Sequence, residues 1–170
     1  MVEETSSLRD QLRTFRVIHF AIVMGSVTYG LVIAMIYFYQ PMAPAMKDIQ
    51  LLNTLEYVSV PYVIVIAAFV TMLRTKMLNS NSIFKKNETA NTKYKGPPFM
   101  QNYLTQLFIL WAIIETITIG GVILYFMSAK LTIPLVIISI GVFFKIMHGP
   151  RLEEVNKLSA KYETISAEGV

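Results

Sequence analysis

Four long apolar runs interrupt this 170-residue chain, and they leave it few ways to fold. They cover residues 17–39 (VIHFAIVMGSVTYGLVIAMIYFY), 57–73, 104–127 and 131–147. A helix that crosses hydrocarbon needs about 20 mostly apolar residues. Lipid offers no partner to an open backbone hydrogen bond, so helices are the expected solution. Strands of a membrane barrel would alternate in polarity, which these runs do not. The expected fold is an all-α membrane protein of four transmembrane helices. Composition agrees: 54% of residues are hydrophobic and 15% charged, where soluble domains carry about 25% charged. These figures exclude a disordered chain and an ordinary water-soluble globule.

The basic residues are divided unevenly between the two sides. Arg9, Arg13 and Arg16 precede the first run, and Arg74, Lys76, Lys85, Lys86, Lys93 and Lys95 lie between the second and third. Lys145, Arg151, Lys157 and Lys161 fall at or after the end of the fourth, whereas the opposite side holds only Lys47 and Lys130. Positive charge collects on the cytoplasmic side of membrane proteins. Both termini and the middle loop are therefore expected in the cytoplasm, with a bacterial inner membrane as the location. The net charge of +4 then reports orientation, and nucleic acid is not an expected partner. Tyr37, Phe38, Tyr39, Tyr57, Tyr103 and Tyr125 are expected in interfacial aromatic belts.

The connecting segments follow from the same division: a cytoplasmic segment (1–16), an external loop (40–56), a cytoplasmic loop (74–103), a short external turn (128–130) and a cytoplasmic tail (148–170). Ala43-Pro44-Ala45 has the look of a signal-peptide cleavage site, but the first run is longer than a typical signal core and follows Glu3, Glu4 and Asp10. It is expected to be retained as a span. Gly96-Pro97-Pro98 should close the middle loop in an extended segment, and Asn87-Glu88-Thr89 forms a glycosylation sequon on the side where it would go unused. In the tail, Leu152, Val155, Leu158, Tyr162 and Ile165 recur at helical spacing, which predicts a short amphipathic helix on the headgroups or against the middle loop.

The first and third runs can be aligned: Thr28 with Thr118, Gly30 with Gly120, and Ser26 with Thr116. The second and fourth align on Pro61 and Pro134. This suggests a duplicated two-helix hairpin. Small residues recur every fourth position at Ser26, Gly30 and Ala34, and at Ala112, Thr116 and Gly120. Such ladders let helix backbones approach closely, so the first and third helices are expected to cross on these faces. Both prolines are expected near the outer ends of their helices.

Glu115 is the acid that the spans do not bring to water. It lies about 17 Å from either end of the third run at 1.5 Å per residue, where a charge costs several kcal/mol, roughly 3 on insertion scales. It is expected to be neutral, with Thr118, Ser26, Thr28 and Tyr29 as polar neighbours forming a candidate proton- or cation-binding site. Lys145 and Arg16 are placed too near the cytoplasmic surface to pair with it. His19, about 9 Å from Glu115 in depth by helical rise, is expected at the interface and His148 in solvent. With no cysteine and two histidines, no metal, haem or other cofactor is implied.

RTFRVIHFAIVMGSVTYGLV, YLTQLFILWAIIETITIGGVIL and a last span ending KIMHGPRLEEV resemble a family of uncharacterised small four-pass bacterial membrane proteins, over most of the chain. The doubled hairpin, glycine-bearing helices and lone membrane carboxylate also resemble, more distantly, the proteolipid (subunit c) fold of rotary ATPases. That likeness implies ion binding at Glu115. It departs from the family pattern, because Glu115 is on the third span and the middle loop lacks the compact polar turn. The residues show no catalytic triad, zinc helix or phosphate loop. A non-enzymatic structural or accessory subunit, joined to other membrane subunits or further copies, is the expected role, with a proteolipid-like proton or cation carrier as the alternative.

Overall fold

The computed structural model describes residues 2–40, 42–79, 83–84 and 97–167. The sequon at Asn87 and most of the middle loop lie outside them. The described residues hold five principal helices: α1 (Val2–Tyr39), α2 (Ile49–Met77), α3 (Pro98–Ser128), α4 (Thr132–Met147) and α5 (Leu152–Ala167). Four helices are long and apolar enough to cross a membrane, the fourth taken as continuing from α4 into α5. An all-α membrane protein is the fold.

Local chemistry sets the boundaries. Asp48 caps α2, its carboxylate accepting from the N–H groups of Gln50 (2.9 Å) and Leu51 (3.1 Å), two of the donors a helix start leaves open. This cap begins α2 eight residues before the apolar run, so Pro61 sits inside the helix rather than near its end. Pro97 is extended (φ −57°, ψ 137°) and Pro98 opens α3, where a proline loses no hydrogen bond. Ala129 closes α3 in the left-handed region, φ 53°. Lys130 N–H then donates to Ser128 Oγ at 3.2 Å, and α4 starts at Thr132.

That three-residue turn forces α3 and α4 into an antiparallel hairpin, the most extensive helix pair in the molecule. Close approach is made by Gly121 and Gly141. A Cβ on Gly121 would lie 2.8 Å from Ile138 Cγ1, and one on Gly141 would lie 2.5 Å from Thr118 Oγ1. α1 packs mainly on α4 and α2 mainly on α3. The two halves are therefore unlike in their pairing, even though their sequences align.

The expected ladders are corrected by this arrangement. Gly30 faces α4, 3.6 Å from Ile138 and 3.8 Å from Leu135 as judged from its Cβ position. Ala112 and Thr116 are exposed, and a Cβ on Gly120 would meet nothing within 4 Å. The short turn aims Ile117, Thr118 and Gly121 at α4, and this stripe lies beside the Ala112–Thr116–Gly120 stripe rather than on it. Tyr103 and Tyr125 are buried, not interfacial, while Tyr37, Phe38, Tyr39 and Tyr57 are exposed as expected.

α5 is the predicted amphipathic tail helix, and it docks on protein. Val155 and Leu158 join Phe99, Met100 and Tyr103 in the largest core cluster, and Tyr162 stacks on Phe84 at 6.1 Å between ring centres. Arg74 of α2 donates to both oxygens of Glu154 (2.7 and 2.9 Å), and Tyr103 OH donates to Oε2 at 3.0 Å.

Candidate functional site

Counting from the shared turn explains what lies at the centre of the hairpin. Glu115 is 13 residues before the last residue of α3, and Lys145 is 13 residues after the first residue of α4. Both are therefore about 20 Å from the turn, at the same depth. Lys145 Nζ donates to Glu115 Oε2 and to Ser26 Oγ, and reaches Thr118 Oγ1 at 3.5 Å. The Lys145 side chain is fully buried, and that of Glu115 is 25% exposed.

This corrects the expectation that Glu115 has no cation within reach. That expectation measured Lys145 from the end of its own apolar run. α4 is only 16 residues against 31 for α3, so its far end stops beside the middle of α3. Glu115 is accordingly paired with a basic side chain rather than alone. In a low-dielectric interior, two opposite charges with hydrogen bonds satisfy each other where neither could be buried alone.

Ser26 brings α1 into the cluster. Its hydroxyl lies 3.3 Å from Glu115 Oε2 and 3.2 Å from the Ile22 carbonyl, and its proton can serve either acceptor. Thr118, on the turn after Glu115, is buried under Gly141. Of the other two candidates, Thr28 is not part of the site. It is exposed, and its hydroxyl donates to the Met24 carbonyl at 2.9 Å. Tyr29 lines the cleft onto which Glu115 opens.

The two histidines close the end of the cluster farther from the α3–α4 turn, and His148 is buried rather than in solvent. His19 Nε2–H donates to the Lys145 carbonyl at 2.9 Å, and its ring lies 4.7 Å from Trp111. Gly149 leaves the space this ring occupies, since a Cβ there would come within 2.8 Å of His19 Cε1. His148 is 7% exposed. Its Nδ1–H donates to the Phe144 carbonyl at 2.8 Å, and its own carbonyl accepts from Trp111 Nε1 at 3.0 Å. The bend at Gly149-Pro150 turns the end of α4 onto α3 instead of into solvent, and this carries the His148 ring inward.

Between α1 and α3 the site opens into a cleft of about 410 Å³. Gly25, Ser26 and Tyr29 form one wall, and Trp111, Ala112 and Glu115 the other. Three comparisons, with family models, curated proteins and solved structures, each returned no match.

Proposed function

We propose that this chain is a non-enzymatic integral membrane protein that serves as a structural or accessory subunit of a membrane complex. Its termini and middle loop face the cytoplasm of a bacterial inner membrane, on the distribution of Lys and Arg. The small four-pass bacterial proteins it resembles are its family on this reading. The observation that carries the proposal is the engagement of Glu115 by Lys145. A carboxylate already matched by a fixed ammonium has its cation built in. Ser26 adds a third helix, so the cluster ties α1, α3 and α4 together.

A second reading, a proton or cation carrier of proteolipid type, is favoured by one observation: a quarter of the Glu115 side chain is open to the cleft. Reconstituted vesicles separate the two. With a potassium diffusion potential imposed, the structural reading expects proton uptake equal to that of empty vesicles. It also expects no modification of Glu115 by dicyclohexylcarbodiimide. Potential-driven uptake that disappears in Glu115→Gln while the protein stays assembled would instead establish the carrier. Purification from the native membrane tests the accessory role, which predicts a stoichiometric partner subunit or further copies of the chain.

A further inference from the structure

The cleft beside the ion pair has a chemistry of its own. Both polar contacts that Glu115 receives fall on Oε2. Oε1 accepts no hydrogen bond from any described residue, although the carboxylate lines the cleft. An unfilled carboxylate lone pair that faces an apolar setting favours a donor that can fill it. Around it are Trp111, Phe108 and Tyr29, with Gly25 and Ala112 leaving the room. A mostly apolar, aromatic-lined hollow of this size with one placed polar group is the usual form of a small-molecule site.

Charge decides what can fill it. Lys145 and Glu115 sum to zero, so an added cation would leave one uncompensated charge in low dielectric, and an added anion would meet the carboxylate. A neutral donor adds a hydrogen bond and no net charge. Shape argues against a whole helix as the occupant. Phe108 packs edge-on to Phe15 (5.9 Å) and to Trp111 (5.1 Å), and Trp111 packs on His19. This aromatic row bounds one end of a hollow spanning only Ile22 to Tyr29 on α1, about 10 Å by helical rise.

We propose that the α1–α3 cleft binds a neutral, lipid-soluble molecule with one hydrogen-bond donor on an apolar body, such as a phenol, its donor seated on Glu115 Oε1. Trp111 is the only tryptophan of the chain and lines the cleft, so heavy-atom quenching of its fluorescence reads occupancy directly. The probes are 4-bromophenol, 4-bromoanisole, which lacks the donor, and 4-bromobenzylamine, which is cationic, each added to the full-length protein in nanodiscs. The expected result is saturable quenching by 4-bromophenol, at least tenfold tighter than by either analogue. Gly25→Val, whose side chain enters open space, should abolish saturation while far-UV circular dichroism stays that of the parent, and Ala112→Leu should do the same. Quenching that rises linearly with every probe, that ignores the donor, that favours the amine, or that survives both cleft-filling changes would overturn the proposal.

Discussion

Removing one partner of the Lys145–Glu115 pair should be among the most damaging single changes available to this bundle. In Glu115→Gln the Lys145 ammonium keeps only neutral acceptors, namely the new amide carbonyl, the Ser26 hydroxyl and the Thr118 hydroxyl at 3.5 Å. Its side chain is fully buried, so water cannot replace the lost carboxylate without opening the α3–α4 contact. Breaking a buried pair in this way costs about 3–5 kcal/mol, or roughly 10²- to 10⁴-fold in the folding equilibrium at 1.36 kcal/mol per decade. Lys145→Met should cost somewhat less, because the carboxylate it strands is a quarter open to the cleft. The double replacement Glu115→Leu/Lys145→Met removes both charges together. It should return to within about 1.5 kcal/mol of the parent, since apolar side chains can replace a buried pair at little cost. Reversible unfolding in mixed micelles with rising dodecyl sulfate, followed by circular dichroism, measures the four corners of the cycle: the parent, Glu115→Leu, Lys145→Met and the double variant. If the losses of the two single variants simply add in the double variant, within about 0.5 kcal/mol, then the two residues do not interact and the site has been misread.

Other consequences are simpler to check. Gly141→Ala should destabilise the α3–α4 hairpin by about 1–3 kcal/mol, because its methyl would collide with Thr118. Gly120→Ala, with open space at its Cβ, should be neutral or stabilising by up to about 1 kcal/mol in the same titration. Ala129→Gly should raise stability by about 1 kcal/mol, since Ala129 holds a left-handed φ that glycine adopts freely. Arg74→Met should undock α5, seen as faster tryptic cleavage after Lys157 and Lys161 with the spans still protected. Unchanged tail cleavage would show that the apolar contacts of Val155 and Leu158 suffice. The chain has no cysteine, so Asn53→Cys and Asn156→Cys, both exposed, can be labelled singly with an impermeant maleimide. Labelling from opposite faces of sealed vesicles is expected, and labelling of both sites from the same face would refute the four-span arrangement.

The spans were legible because lipid imposes a length and a polarity that composition cannot disguise. The tail helix was legible from its apolar spacing, and Ser26 and Thr118 were placed beside Glu115 from depth alone. Lys145 was misplaced because depth was counted from the ends of each apolar run, which assumes runs of equal standing. The turn at 129–131 was the better ruler. Two helices that share a three-residue connection must be in register from that point, and residues equidistant from it must be level. The same ruler puts Thr118 within one residue of level with Gly141, and Gly121 within one residue of level with Ile138. The histidines were harder. The burial of His148 depends on a bend at Gly149-Pro150 that folds the chain back onto α3, and helical periodicity stops at such a bend.

An apolar solvent also changes what the pair is for. In water, a slipped hairpin would expose part of its apolar face and be rejected for that reason. In lipid, one aliphatic face is as well solvated as another, and hydrophobicity does not choose between registers. Many of the large side chains on α1 and α2 are exposed, among them Phe20, Leu31, Ile64 and Val65, and these surfaces would tolerate displacement along the helix axis. What cannot be displaced are the contacts that depend on a single position. A slip of one turn, about 5.4 Å, would lift Gly141 off Thr118 and replace Ile138 at Gly121. It would also carry Lys145 away from both Glu115 and Ser26. Two glycines and one ion pair, all on α3 and α4, thus fix a register that the remaining apolar surface leaves open. Because Ser26 belongs to α1, the same ion pair also sets the depth of the one helix that reaches it from outside the hairpin.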